Sequence, residues 1–455
     1  LYKYYYLDLK KLSPSNGRLL KVVAIPAKRP YLFCFALNLK TNLHVDKREG
    51  LFDDFPSEKK KKKKRHMLTQ TIRQVSHALK NSTIYSSPNF SSYFSSKGLE
   101  YNLIRVPIAG CDFSEYPYTY AETPWHDTTL SNFSLSEHDF FLKVTQRVAT
   151  DEIKITASVW SPPVWMKTNE RITGFAQLRP EYYQAFADYH LRFIEEYDKS
   201  NVKIWAITTT NEPINGIVPF VQFNSLGWFP QQLGRWLADN LGPTIKNSRF
   251  NETLIIAVDD QRYLLPVYLA GMELAAPESI DYMDGIAVHW YGNFFPPQIL
   301  STLQRRYPGK ILLATEACEG SMPWNSDKVV LGSWRRAGRY IKSILEDLNH
   351  FVVGWIDWNL ALNDHGGPNW VDNFVDAPIL VYGDKDEFIK QPIFYALGHF
   401  SKFIPRGSRR VRVDQRSLAS IENVVVRKTN GNLVMVLQNR YFDLFKHFSV
   451  TSMES

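Results

Sequence analysis

The chain has 455 residues, of which 44% are hydrophobic and 14% aromatic. This composition excludes an intrinsically disordered chain, and the length allows one or two folded domains. The formal net charge is +8, but the run KKKKKKR at residues 59–65 supplies seven of the positive charges. The other 47 basic and 46 acidic residues nearly balance. We therefore expect a solvated loop at this run and no nucleic-acid partner.

The cysteines are Cys34, Cys111 and Cys318, which are too few for a disulfide framework. Neither they nor the histidines have the spacing of a metal site, and we expect no cofactor. No run of about 18 apolar residues predicts a membrane span, and the N-terminus shows no signal peptide. Four glycosylation sequons favour a secretory route, at Asn81, Asn89, Asn132 and Asn251.

Residues 1–84 predict no definite architecture, but from residue 101 onward short apolar runs alternate with longer amphipathic stretches. The amphipathic stretches at 180–199 and 331–349 predict helices. The apolar runs are typical of strands buried on both faces of a parallel sheet. These runs cover residues 101–106, 153–159, 204–210, 254–258, 285–291, 311–315 and 351–358.

Alternating strands and helices predict an α/β fold. Because no GxGxxG motif follows a strand, we favour a (β/α)8 TIM barrel over a dinucleotide-binding sheet. The eighth strand should be the first, before Ser86, and residues 32–37 are a candidate for it. After residue 405, three short strands and the turn 429–432 predict a small, incomplete β-sandwich. The expected domains are an N-terminal segment at 1–84, a barrel at 85–405 and a sandwich remnant at 406–455.

Two of the apolar runs end in a glutamate, Glu212 after Asn211 and Glu316 after Thr315. Each alone could be a solvated carboxylate at the end of a strand. Catalytic groups of barrel enzymes, however, lie at the carboxyl ends of the strands. A pair of carboxyl groups there is what glycoside hydrolysis requires, one as acid and one as nucleophile or base.

Other polar and aromatic residues also lie at strand ends. Arg105 ends the first clear strand, and Asp112 follows it, so the pair could orient a carboxylate or form an ordinary ion pair. The aromatic residues suit the apolar face of a sugar, although each could fill the core instead. They are Trp160, Trp165, Trp290, Tyr291, Trp355 and Trp358, with His289 beside them. Neither a GxSxG serine nor Cys318 is supported as a nucleophile.

The sequence resembles the lysosomal acid β-glucosidases (glucosylceramidases) of glycoside hydrolase family 30. The most specific matches are GWIDWNLALN at 354–363 and GGPNWV at 366–371. Further matching segments run in order along residues 85–440. They are YNLIRVP from 101, CDFS from 111, WMKTN from 165, NEP from 211, DDQR from 259, GIAVHWY from 285, TEAC from 315 and GHFSKFIP from 398.

This resemblance implies a retaining enzyme that cleaves glucose from glucosylceramide, with Glu212 as acid/base and Glu316 as nucleophile. Asn211 would bind the sugar beside the scissile bond, and Phe223 would lie at the mouth of the cleft. The glucose site would be lined by Arg105, Asp112, Trp165, His289, Tyr291, Trp358 and Asn373. The family acts in the lysosome as a glycoprotein, on anionic membranes, with a small activator protein and without a metal.

The sequence also departs from the family. The family's Gly-Phe-Gly-Gly strand is missing before residue 85, and the C-terminal sandwich is short. A barrel without its first strand would have an unpaired edge. Two alternatives therefore remain, a hydrolase of the same family that acts on another β-glycan and a catalytically impaired binding remnant.

Overall fold

The computed structural model describes residues 19–22, 34–39, 88–136, 139, 142–383, 385, 387–413, 421–439 and 448–451. The chain divides into two compact units, residues 65–402 and residues 1–64 with 403–455. The basic run at 59–65 lies outside the described residues. The domain limits placed at 84/85 and 405/406 stay predictions of the sequence.

The strands are numbered in chain order. Near the N-terminus are β1 (Leu19–Val22) and β2 (Cys34–Leu39). The strands of the predicted barrel are β3 (Leu103–Ile108), β4 (Lys154–Val159), β5 (Ala206–Thr208), β6 (Leu254–Gln261), β7 (Gly285–His289), β8 (Ile311–Glu316) and β9 (Val352–Trp355). The remaining strands are β10 (Ala361–Asn363), β11 (Ile379–Tyr382), β12 (Glu387–Lys390), β13 (Arg409–Val411), β14 (Ile421–Arg427), β15 (Leu433–Asn439) and β16 (Phe448–Thr451).

The α-helices lie mainly between the barrel strands. They are α1 (Pro88–Phe94), α2 (Leu142–Val148), α3 (Tyr183–Lys199), α4 (Pro230–Trp236), α5 (Gly242–Lys246), α6 (Leu265–Ala275), α7 (Ser279–Tyr282), α8 (Gln298–Arg306), α9 (Trp334–Asn349) and α10 (Pro392–Ser401). The helices predicted at 180–199 and 331–349 correspond to α3 and α9. Among the described helices, none has the length and apolar character needed to span a bilayer.

The strands β3 to β9 form one sheet in sequence order, and every neighbouring pair is parallel. The seven apolar runs are thus confirmed as strands of a parallel α/β fold. All residues of β5 and β7 are buried, as expected for strands covered on both faces. The two edge strands are less covered: β3 alternates between buried and half-buried residues, and Val353 of β9 is 62% exposed.

The candidate for the first barrel strand is wrong in its described part. Strand β2, Cys34–Leu39, pairs antiparallel with β15 and not with a barrel strand. It completes a four-stranded sheet in the order β13-β14-β15-β2, and β1 pairs separately with β16. The predicted strands after residue 405 are confirmed by this sheet. Gly431 has a φ of +82°, which supplies the left-handed residue of the turn between β14 and β15.

Candidate active site

The predicted polar residues meet where the parallel strands end. Glu212 follows β5, while His289 and Glu316 are the last residues of β7 and β8. Arg105 lies on β3 and reaches Glu316 at 2.6 Å. Glu212, His289 and Glu316 thus lie at the carboxyl ends of their strands, as expected for a barrel enzyme. The prediction that Arg105 ends its strand is wrong, because β3 continues to Ile108 and Arg105 reaches the site from within the strand.

The carboxyl groups of the two glutamates lie close together. One carboxylate oxygen of Glu212, one of Glu316 and one ring nitrogen of His289 all lie within 4.8 Å of one another. The two glutamate side chains are 12% and 8% exposed, so both are shielded from bulk water without being sealed off. Carboxyl groups about 5–5.5 Å apart are typical of double displacement, whereas about 6.5–9.5 Å leaves room for a water molecule in direct displacement.

Glu316 is held by two donors on separate oxygens. The Arg105 guanidinium donates to Oε2 at 2.6 Å, and the Tyr291 hydroxyl donates to Oε1 at 2.8 Å. The pKa of Glu316 is raised overall, because burial and the charge of Glu212 raise it more than the positive charges of His289 and Arg105 lower it. These two donors fix the direction of the carboxylate, as the positioning of a nucleophile requires.

Glu212 has a different set of partners. Gln261 donates to its Oε1 at 2.7 Å, the His289 ring nitrogen Nδ1 lies 2.8 Å from the same oxygen, and Asn215 donates to Oε2. The backbone φ of Glu212 is +41°, which is unusual for a residue with a side chain. The environments of the two glutamates therefore differ, as different chemical roles require.

Asp259 connects Arg105 with His289, and the sequence analysis gave this residue no role. Its Oδ2 accepts hydrogen bonds from Arg105 and Ser158, both at 2.7 Å. Its Oδ1 accepts from Thr315 at 2.6 Å and faces His289 Nε2 at 3.1 Å. Burial alone would raise the pKa of Asp259, but Arg105 and His289 hold it well below its usual range.

His289 lies between two carboxylates, with Nδ1 facing Glu212 and Nε2 facing Asp259. Burial alone would lower the pKa of His289, but the charges of Glu316, Asp259 and Glu212 raise it to about 10. The ring is therefore an imidazolium at neutral pH, and both nitrogens donate.

On distance alone, Glu212, His289 and Glu316 could hold a metal ion. In this structure both ring nitrogens of His289 already face protein partners, Nδ1 at 2.8 Å from Glu212 Oε1 and Nε2 at 3.1 Å from Asp259 Oδ1. The Arg105 guanidinium also occupies Glu316 Oε2. The cluster is instead a network of alternating charges.

Two of the predicted sugar ligands form a second polar group. Asn373 donates to Asp112 Oδ2 at 3.0 Å, and Asn369 donates to the same oxygen at 3.2 Å. Burial and the nearby charge of Glu316 raise the pKa of Asp112 to about 7. Asn369 was missed in the sequence, although it lies within the matching segment GGPNWV.

Aromatic side chains form one wall of the site. Trp160 stacks on Trp358 with ring centroids 4.9 Å apart, and the Arg105 guanidinium lies 4.7 Å from the Trp160 ring centre. Phe223, Tyr291 and Trp358 pack against a buried cluster that contains Trp160. The predicted Phe223, Tyr291 and Trp358 are thus brought together, and Trp160 joins them.

Trp165 lies in different surroundings. It is fully buried, its indole nitrogen donates to the backbone carbonyl of Ala121 at 2.9 Å, and its ring packs edge-on against Tyr182 and His126. These contacts favour a core role for Trp165, and its place at the sugar stays a prediction. Trp160 is nearly as buried as Trp165, at 2% exposed, and differs from it by its contacts with Arg105 and Trp358.

A group of exposed aromatics lies next to the Glu212 side of the site. Tyr263, Phe294 and Phe295 have ring centroids 4.8 to 6.4 Å apart, and Phe294 is 76% exposed. A Cβ atom on Gly292 would meet both the Tyr263 ring and the Cβ atom of Gln261, whose side chain binds Glu212. Burial and the charges of Asp260 and Glu212 raise the pKa of Tyr263, so this exposed aromatic group lies near Glu212.

Comparison with known proteins places the chain among glycosidases. It matches the model of the glycosyl hydrolase family 30 TIM-barrel domain over residues 75–404. It is 45% identical over 360 residues to the lysosomal acid glucosylceramidase of Mus musculus, with 77% of this chain and 69% of that protein covered. It is 42% identical over 346 residues to putative glucosylceramidase 3 of Caenorhabditis elegans, with 74% and 66% covered. The structure of SrfJ from Salmonella typhimurium has a TM-score of 0.73 at 26% identity, with 84% of each chain covered.

Proposed function

Because the chain belongs to glycoside hydrolase family 30, we propose that it is a retaining exo-β-glucosidase that hydrolyses glucosylceramide by double displacement. The observation that carries the proposal is the approach of Glu212 and Glu316 to within 4.8 Å. This spacing supports covalent catalysis, because one carboxylate can reach the anomeric carbon while the other reaches the leaving oxygen.

In the first step, the Glu316 carboxylate attacks the anomeric carbon, and the bond from that carbon to the ceramide oxygen breaks. Glu212 gives its proton to the departing oxygen, so that ceramide leaves as an alcohol. Glu212 then carries a negative charge. The donors Gln261 and His289 at its Oε1 stabilise that charge as it develops.

In the second step, Glu212 takes a proton from water, and the water oxygen bonds to the anomeric carbon. The ester bond to Glu316 breaks, which restores its carboxylate and releases β-glucose. Arg105 and Tyr291 favour this release, because each donates to one of the Glu316 oxygens. Atoms and protons balance, since water is the only added reactant.

The sugar contacts are part of the proposal. Asp112, with Asn373 beside it, would bind glucose hydroxyls, and Trp358 would face the ring. Arg105 donates to the side-chain oxygen of Asn211 at 2.6 Å. The side-chain amide nitrogen of Asn211 is therefore left as the donor towards a sugar hydroxyl. Phe223 would meet the aglycone at the mouth of the site.

A lipid aglycone is favoured by two observations. The two relatives at 45% and 42% identity are named glucosylceramidases. The exposed rings of Tyr263, Phe294 and Phe295 also offer an apolar surface beside Glu212, where the aglycone leaves. We extend the proposal to a lysosomal glycoprotein that works on an anionic membrane surface with a small activator protein. The name of the mouse relative supports the lysosomal location alone.

Product stereochemistry tests the mechanism. Proton NMR during early hydrolysis of an alkyl β-glucoside should show β-glucose first, with α-glucose arising later by mutarotation. The appearance of α-glucose first would overturn double displacement.

Substrate comparison tests the aglycone. Turnover of glucosylceramide in anionic vesicles should exceed turnover of β-1,6-glucan and xylan. Faster cleavage of a glycan would favour the family's polysaccharide chemistry instead. Folded protein with no turnover of any β-glucoside would favour a non-catalytic binding remnant.

A further inference from the structure

We propose that Asp260 is a positioning residue that holds the loop bearing Glu212 in its acid/base geometry. The inference rests on the proposed role of Glu212 as acid/base. Asp260 is fully buried, and its Oδ2 accepts a hydrogen bond from the backbone N–H of Ile214 at 3.2 Å. It therefore binds the middle of the short segment that follows Glu212, without touching the reacting atoms.

The position of Asp260 depends on a bulge at the end of β6. The register between β6 and β7 shifts between Val258 and Asp260, and both Val258 and Asp259 have positive φ values, 73° and 58°. In a regular strand, neighbouring side chains point to opposite faces, and a bulge breaks this alternation. Consecutive residues of one strand can then serve the same loop.

Three consecutive residues do so here. The Asp259 carbonyl oxygen accepts the Glu212 N–H at 3.0 Å, and the Gln261 side chain donates to Glu212 Oε1 at 2.7 Å. Between these two contacts, Asp260 binds Ile214. The backbone, the carboxylate and the following loop of Glu212 are each held by a different residue of the bulge.

The loop needs such support because its conformation is unfavourable. A φ of +41° at Glu212 is costly for a residue other than glycine, on the order of 1 kcal/mol or more. Asn215 adds a further contact, since its backbone N–H donates to the Glu212 carbonyl oxygen at 2.8 Å. Without Asp260, the Ile214 N–H would lose its partner, and the loop could relax towards an ordinary backbone.

The charge of the surroundings is compatible with this role. The titratable groups whose charges act on Asp260, or on which it acts, are Glu212, His289, Tyr263 and Tyr268. Burial and the charge of Glu212 raise the pKa of Asp260 to about 8. Both oxygens of Asp260 accept backbone hydrogen bonds, Oδ2 from Ile214 at 3.2 Å and Oδ1 from Gln261 at 2.7 Å, so the side chain ties the loop after Glu212 to the end of β6.

Leaving-group dependence separates positioning from general damage. In Asp260→Ala, kcat/KM for an alkyl β-glucoside, whose leaving group must be protonated, should fall about 10- to 100-fold. For 2,4-dinitrophenyl β-glucoside, whose leaving group needs no proton, kcat/KM should stay near the wild-type value. Asp260→Asn keeps one oxygen for Ile214 and should lie between wild type and Asp260→Ala with the alkyl substrate.

An equal loss on both substrates would overturn the proposal, as would wild-type rates on both. Titration of active sites with a 2-fluoroglucoside inactivator confirms that each variant is folded, because labelling needs an intact sugar site. If Asp260→Ala does not fold, the same contrast between substrates must appear in Asp260→Asn. Glu212→Gln serves as the reference: should it show no dependence on the leaving group, the proposed function fails independently of Asp260.

Discussion

Replacement of Asp259 by asparagine should destabilise the protein strongly, although the two side chains have nearly the same size. Both carboxylate oxygens of Asp259 face two donors each. An asparagine has only one oxygen, and its NH2 group would face two donors whichever way the amide turns. Either Arg105 or His289 would then be left as a buried cation without this partner.

The cost follows from the contacts that are lost. A hydrogen bond to a charged group contributes about 1.5–3 kcal/mol, and breaking a buried ion pair costs about 3–5 kcal/mol. We therefore expect the free energy of unfolding to fall by about 3–5 kcal/mol near neutral pH. The pKa of Asp259 is depressed in the folded state. Its contribution to the free energy of unfolding is therefore present above the pKa of about 3.9 in the unfolded chain, and it is lost as the pH falls below that value.

Urea unfolding of wild type and Asp259→Asn, followed by tryptophan fluorescence at pH 6 and pH 3, measures this difference. The gap should be large at pH 6 and smaller at pH 3. Glu252→Gln is the matched control. Glu252 pairs with Lys203 at 3.5 Å, but the Glu252 side chain is 83% exposed, so loss of this ion pair should have little effect on stability. A gap below about 1 kcal/mol at pH 6, or one unchanged in acid, would refute the described charge network.

Four further predictions concern the site. Trp160→Phe should raise KM and lower kcat, because it removes the stacked indole ring that contacts Arg105. Trp165→Phe should lower the melting temperature and leave KM unchanged. Steady-state kinetics with the reverse pattern would favour Trp165 as the sugar ligand. His289→Gln should destabilise the protein near neutral pH, because the pKa of His289 is raised in the folded state. The contribution of His289 to the free energy of unfolding is full below about pH 6.5 and is lost as the pH rises through about 10. The unfolding curves of wild type and variant should therefore converge at that pH. Glu212→Gln should slow cleavage of alkyl glucosides far more than dinitrophenyl glucosides, and added azide should restore turnover by giving β-glucosyl azide; absence of that product would count against the acid/base role. Phe294→Ala should weaken turnover of glucosylceramide in vesicles several-fold and leave a soluble aryl glucoside unaffected, and equal effects would exclude an aglycone contact.

Much of the barrel could be predicted because burial on two faces leaves a simple pattern. Short, continuously apolar runs separated by amphipathic helices gave seven strands and the ends at which Glu212 and Glu316 lie. The polar residues at those ends also stood out, because a charged side chain is rare at the end of a buried strand without a partner. His289 was found by this reasoning, and Tyr291 was found as one of the aromatic residues that follow the same strand. Arg105 was found because its strand was predicted to end there, although β3 continues to Ile108.

The missed residues depend on local backbone geometry that the pattern does not report. The run ending at residue 258 looked complete, but β6 continues through a bulge to Gln261, and the bulge aims Asp259 at the charge network. Pairing between distant segments was likewise invisible. Residues 34–39 are as apolar as a barrel strand, yet β2 pairs with β15, about 400 residues later in the chain.

Covalent trapping tests most directly whether the two glutamates act on one sugar carbon. Incubation with a 2-deoxy-2-fluoro-β-glucoside bearing a dinitrophenyl leaving group, followed by peptide mass spectrometry, should place the fluoroglucosyl ester on Glu316. The Glu316→Gln variant should take up no label. An ester on any other side chain, or undiminished labelling of Glu316→Gln, would contradict the assignment of the nucleophile and the reaction built on it.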